Sequence, residues 1–188
     1  MAEDNCFDIA AVVPDATTDC DEVVANFAIA QINRGWHIGG LVQEIYQTQR
    51  SKQIRLVALE DGRIYPISQF LGTHSISCRI DTSGIAKASA VMRRIPIHGV
   101  DLAIFNRFST LEAHGHGFAA EMLDLMSRQI PILTIVPSQH LPAWRRFTGR
   151  QAVELPPERP ALEAWFGGLS HHSADIRDNT PALSGACS

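Results

Sequence analysis

The chain has 188 residues, 45% of them hydrophobic and 19% charged, which suits one domain with a sizeable core. Its net charge is −4 with a pI near 6.0 and no basic block, which argues against a polyanion-binding surface and a nucleic-acid partner. No apolar run approaches the roughly 18 residues that span a bilayer, and the acidic start MAEDNCFD lacks the basic flank of a secretory signal; a cytoplasmic location with no membrane partner is expected.

Residues 7–13 (FDIAAVV) form an apolar run of the length and composition of a buried first strand. Asp19, with Glu22 three positions on, matches a capping box, so a strongly apolar helix is predicted over 21–34 with Gly35 as its stop. Residues 37–45 (HIGGLVQEI) predict a second strand. Two alternating segments, 54–59 and 63–67, flank Glu60-Asp61-Gly62, an Asp-Gly turn signal that predicts an antiparallel hairpin inserted near 54–67. Residues 71–80 carry no clear periodicity. Asp81 to Ser83 can cap a helix ending near Arg94, with Ile85, Ala88, Val91 and Met92 at helical spacing.

The segment DLAIFNRFSTLEAHGHGF (101–118) is the most informative. An apolar run, 102–105, meets Asn106 and Arg107, then Glu112, Gly115 and Gly117, before a helix predicted over 117–128. A buried parallel strand has this pattern when it delivers side chains to the carboxyl edge of a sheet, where open α/β folds bind ligands. Residues 131–136 (PILTIV) predict another buried strand, and short helices are predicted over 141–147 and 160–166. From Gly167 the chain is rich in Gly, Ser and Pro, so a single α/β domain spanning 1–166 and a mobile tail over 167–188 are expected. Strands alternating with helices predict an α/β three-layer sandwich with a mostly parallel sheet and an antiparallel hairpin extension.

The segments GGLVQEI (39–45), Cys78-Arg79-Ile80-Asp81, NRFSTLEAHGHGF (106–118) and IPILTIVPSQHLPAW (130–144) resemble an uncharacterised bacterial family, domain of unknown function family 2478. The likeness runs in order across 7–166. It implies a P-loop-NTPase-like fold, through a distant similarity to P-loop nucleoside-triphosphatases of the thermophile type. It also implies a link to molybdate uptake and molybdenum enzymes. At positions 109 and 110 the family pattern has a Gly-Lys pair where this chain has Ser109-Thr110.

A P-loop needs G-x-x-x-x-G-K-[ST], because glycines let backbone N–H groups close around phosphates and the lysine neutralises them. After Val13 this chain reads PDATTDCD (14–21), with no glycine, no lysine and three carboxylates, Asp15, Asp19 and Asp21. One carboxylate about 5 Å from a phosphate charge costs roughly 3 kcal/mol at an effective dielectric near 20. That exceeds the ~0.3–1 kcal/mol a helix N-terminus offers. A degenerate Walker A loop without an ordinary triphosphate grip is predicted.

The candidate ligand-binding residues are therefore Arg79, Asn106, Arg107, Glu112, Gly115 and Gly117. Asn106 can orient a ligand or a water but cannot act as a base; alternatively it caps the next turn. Arg107 either contacts an anion or forms a local ion pair with Glu112. The two glycines serve either backbone geometry or close ligand approach. Asp81 reads as an N-cap, and Gln43 and Trp144 are weaker candidates. His114 and His116 would need His140 or Cys78 to converge from distant loops to complete a zinc site, and the four cysteines (6, 20, 78, 187) form no CxxC pair, so no metal is assigned and reduced thiols are expected. The function expected is non-hydrolytic binding of a small anionic ligand, a nucleotide or an oxyanion such as molybdate. A magnesium-dependent hydrolase or phosphotransferase, with Asp15 or Asp19 on the metal and Glu112 positioning water, is the first alternative. A protein-interaction module docking through the hairpin is the second. A homo-oligomer or a protein partner stays open.

Overall fold

The computed structural model of the protein describes residues 8–47, 52–69 and 79–178, with the side chains of 69, 79, 80 and 170–178 excepted. A seven-stranded sheet runs β4-β3-β2-β7-β8-β1-β9. Five members are mutually parallel: β1 (Ile9–Val12), β2 (Ile38–Gln47), β7 (Leu102–Arg107), β8 (Ile132–Ile135) and β9 (Val153–Leu155). β3 (Lys52–Ala58) and β4 (Ile64–Pro66) extend it as an antiparallel meander from the edge of β2. The Asp-Gly turn forms as the sequence predicts: the Asp61 carboxylate accepts from the backbone N–H of Arg63 at 3.0 Å. A two-stranded pair, β5 (Ser68–Gln69) and β6 (Arg79–Ile80), leads into α2 (Thr82–His98).

Parallel strands need crossovers, and the strand order dictates where the helices go. From β1 the chain passes over β8 and β7 to reach β2, then returns through the neighbours β7 and β8 and passes over β1 to β9. Right-handed crossovers running in opposite directions put their helices on opposite faces. On one face α1 (Cys20–Asn33) and α6 (Arg159–Asp178) bury Val24, Phe27, Leu162 and Phe166 against Val12, Ile104 and Leu133. On the other, α2, α4 (Ala119–Ser127) and α5 (Leu141–Phe147) bury Met92, Ile95, Met122 and Trp144 against Ala11, Phe105 and Ile132. The predicted three-layer sandwich with its antiparallel extension is the observed architecture. Among the described residues no helix is long and apolar enough to cross a membrane.

Several boundaries differ from expectation. α2 runs past Arg94 to His98 despite Pro96, because Ile95 is fully buried and Gly99 closes the end with its N–H on Ile95 O. The helix predicted over 117–128 forms as α4, Ala119–Ser127, and a single turn that was not predicted, α3 (Thr110–Ala113), precedes it. The last helix does not stop at 166: α6 continues to Asp178, through much of the span expected to be a mobile tail. Gly167 and Gly168 lower helix propensity there, but Trp165, Phe166 and Leu169 pack on the sheet, and that tertiary burial outweighs propensity. Residues 179–188, most of the unassigned segment 71–80, and the start of the first predicted strand lie outside the described residues.

Candidate functional site

The outgoing connections of β1 and β8 leave for opposite faces, which makes the carboxyl ends of these neighbours the topological switch point of the sheet, where open α/β folds bind ligands. Three segments meet this edge: the turn 13–19 with the first turn of α1, the end of β7 with the turn 108–118, and residues 136–140 after β8.

The first turn is organised by its own carboxylates. Asp15 Oδ1 accepts from the N–H groups of Thr17 (2.8 Å) and Thr18 (2.6 Å), and the two threonine hydroxyls also donate to this carboxylate. The backbone N–H bonds from Thr17 and then Thr18 hold the Asp15 carboxyl below its usual range. Asp19 is the N-cap of α1, accepting from the N–H of Asp21 (3.1 Å) and Glu22 (3.2 Å), which is the forward half of the predicted capping box. The amides at this helix entrance therefore already hold negative charge supplied by the chain. Cys20 beside them is buried, and burial pushes its thiol up, with the Arg107 guanidinium acting in the opposite direction.

Asp21 ties three elements together. It is only 8% exposed, and its Oδ2 accepts from Gln43 Nε2 of β2 (3.1 Å) and from Arg107 Nη2 of β7 (2.6 Å). Asp21 Oδ1 and Arg107 Nε are enclosed without partners, so the pair is end-on and its fork is not closed. Of the two readings of Arg107, the local pair with Glu112 is not the one that forms, since Arg107 reaches across the sheet edge to α1. Asp21 itself was visible in the sequence only as a charge near the first turn. Its pattern, an acid in the first helical turn with no acceptor-seeking neighbour nearby in sequence, carries no local signal. Asp15 followed by two threonines does carry one, the side-chain-to-backbone turn such residues favour.

Asn106 is half-buried, and its Oδ1 has no hydrogen-bond partner, so it does not cap the next turn. Glu112 performs that task instead. Nearly buried at 4% exposure, it accepts from Ser109 N–H (2.9 Å), Ser109 Oγ (3.1 Å) and Phe118 N–H (3.2 Å), closing the turn from both sides. Gly115 and Gly117 both take left-handed backbone, φ 79° and 59°. The Gly117 position lies so close to Glu112 that a Cβ would overlap its carboxylate, whereas Gly115 faces open space. Arg79 lies in β6, with its side chain outside those described. Asp81 caps α2 as predicted, accepting from Ser83 N–H at 2.9 Å. Trp144 is fully buried in contact with Phe108 and Phe147 and anchors α5 to the core. His114 and His116 are exposed, His114 Nδ1 lying 2.6 Å from Thr110 O, and among the described residues no three His, Cys, Asp or Glu side chains converge as a metal site.

A family model described as "Protein of unknown function (DUF2478)" matches residues 9–165. A "Molybdenum import ATP-binding protein ModC 2" of Bradyrhizobium diazoefficiens is 33% identical over 181 residues, 95% of this chain but 20% of that protein. The chain thus spans about a fifth of the curated relative it matches. Two solved structures share the fold. A human cancer-related nucleoside triphosphatase superposes with a TM-score of 0.62 at 11% identity, covering 92% of this chain and 99% of its own. THEP1 from Aquifex aeolicus gives 0.58 at 12% identity, covering 86% and 95%. The architecture is that of a P-loop-NTPase-like α/β protein.

Proposed function

The chain belongs to the family described as protein of unknown function DUF2478, and we propose that it is a cytoplasmic accessory protein that binds a small anionic ligand without turnover. The ligand class is a nucleotide or an oxyanion such as molybdate. One observation carries the absence of turnover: the Asp15 carboxylate occupies the Thr17 and Thr18 amides of the turn that follows the first strand. In a working phosphate loop such amides face the ligand, and a lysine adds positive charge. Here a fixed carboxylate takes their place and no lysine accompanies it. An incoming triphosphate would meet Asp15, Asp19 and Asp21 together, and the Arg107 guanidinium beside them is already paired with Asp21.

The contacts we assign are Arg107 and Asn106 at the end of β7, the backbone of the Gly115–Gly117 turn, and Arg79. Arg107 keeps Nε unpartnered, and Asn106 keeps an unpartnered oxygen. Glu112 supports the turn from beneath, with both oxygens engaged. The relative named as a molybdenum import ATP-binding protein supports a place beside an import ATPase, as a sensor or carrier of the transported oxyanion.

Calorimetric titration with ATP, GTP, molybdate, tungstate and sulfate, each with and without magnesium, tests the reading. Saturable binding without phosphate release is expected, weakened at least tenfold by Arg107→Ala. Phosphate release lost in Asp15→Ala or Asp19→Ala would replace it with the hydrolase reading. The interaction-module reading has its own observation: Ile45 and Ile64 on the meander are 53% and 48% exposed. A flat response to all five ligands, with a co-purifying protein lost on Ile64→Asp, would favour it.

A further inference from the structure

A cavity lies at the opposite edge of the sheet, where α5 ends and β9 begins. It encloses about 200 Å³ and is lined by Trp144, Arg145, Thr148, Arg150, Ala152 and Glu154. Because β9 runs parallel to β1, its amino end faces away from the crevice described above. Nothing in the proposed function uses it.

The local chain geometry is that of a helix stop with an unusual occupant. Gly149 N–H donates to Arg146 O (3.2 Å) and Arg150 N–H to Arg145 O (2.7 Å), the paired bonds of a Schellman motif. Gly149 takes the left-handed conformation such a stop requires, φ 61°. Arg150 follows in the same region, φ 65°, where a residue with a Cβ is uncommon and strained. The residue at this place normally packs an apolar side chain back on the last helical turn. Here it carries a guanidinium to the rim of the cavity instead.

The charges around the cavity do not cancel. Arg145 and Glu154 form a closed fork, with Nε and Nη2 donating to the two carboxylate oxygens at 2.7 and 2.9 Å. That bond raises the Arg145 pKa and lowers that of Glu154, so the pair is self-neutralised. The carbonyls at the end of α5 are also occupied: Trp144 O accepts from Thr148 N–H and Oγ1, and Arg145 O and Arg146 O accept from the turn. The Arg150 guanidinium has no partner among the described residues. The buried indole Nε1 of Trp144 lacks one as well. One uncompensated cation at the rim of a small hollow is a site for one negative charge.

We infer that this cavity binds a compact oxyanion, carboxylate or tetrahedral, held by Arg150 against the wall formed by the Arg145–Glu154 pair. The volume admits an ion of sulfate or acetate size and is too small to enclose a nucleotide, so the site is separate in ligand as well as in place from the carboxyl edge of the sheet.

The test follows the three indole N–H resonances of the tryptophans by NMR, with Trp144 assigned through Trp144→Phe. Sulfate, phosphate, molybdate and acetate are titrated at constant ionic strength. A saturable shift of the Trp144 resonance is expected with at least one of them, and the acetate arm separates a carboxylate ligand from a tetrahedral one. Arg150→Gly is the decisive variant, because it removes the guanidinium and also relieves the left-handed strain. It is expected to melt no lower than the wild type while binding at least tenfold more weakly. Arg107→Ala is expected to leave this response intact. An Arg150→Gly variant that binds as tightly as wild type, or no saturable shift with any of the four anions, overturns the inference. Loss of every response in Arg107→Ala would also overturn it and assign the anion to the crevice.

Discussion

Arg107, at the end of β7, donates to the carboxylate of Asp21, in the first turn of α1, across 2.6 Å, and Gln43 of β2 donates to the same oxygen. These contacts join elements far apart in sequence over the switch point of the sheet. Asp21→Ala should therefore destabilise the fold by about 2 kcal/mol, below the roughly 3–5 kcal/mol of a fully buried pair because Arg107 keeps solvent access. The double variant Asp21→Ala/Arg107→Ala should cost less than the sum of the singles, since removing both leaves no charge stranded. Chemical denaturation of the four proteins measures the coupling. Strict additivity would mean that the contact contributes nothing.

The two glycines of the 108–118 turn should respond differently to the same substitution. At Gly115 an added methyl meets open space, so Gly115→Ala carries only the left-handed backbone cost, about 1 kcal/mol. At Gly117 the methyl would overlap the Glu112 carboxylate, which already holds Ser109 and Phe118 in place. Displacing it strands buried amides, so Gly117→Ala should cost about 3 kcal/mol. Denaturation midpoints for the pair decide it. Equal losses would show that Glu112 is not what fixes this turn.

The parts of the molecule legible in the sequence were those written in local patterns. Apolar runs at 102–105 and 131–136 announced buried strands, Asp61-Gly62 announced the hairpin, and Asp81 announced the start of α2; all four formed. The partners of the site residues were not legible, because contacts across a sheet edge depend on strand order. Arg107 had an acid five residues away in Glu112 and a distant one in Asp21, and only the fold brings the distant one within reach. Glu112 then became free to close the turn through backbone amides, a role that its spacing after Ser109 could have suggested as a capping box. The helical course of α6 beyond Phe166 depended on the burial of Leu169 against the sheet, which composition alone does not express.

Removing one carboxylate interaction should reshape the acid limb of stability in a way that identifies it. Asp15 is held below its usual range first by the backbone bond from Thr17, then by the one from Thr18. A carboxylate with a depressed folded pKa binds fewer protons in the native state than in the unfolded chain. Its contribution is therefore complete above the ordinary carboxylate range and is lost as pH falls through the lowered folded value. The same sign holds for Glu154, held down by its hydrogen bonds from Arg145, and for Glu163, held down chiefly by Arg159. Stability should fall steadily below about pH 4, the region where unperturbed carboxylates titrate. Asp15→Asn keeps an acceptor for the Thr17 and Thr18 amides but cannot titrate, so its curve should fall less steeply in that window and match the wild type in slope near neutrality. Thermal midpoints of the two proteins from pH 7 down to pH 2.5 supply the comparison. Parallel curves would mean that the Asp15 charge is not what those amides hold.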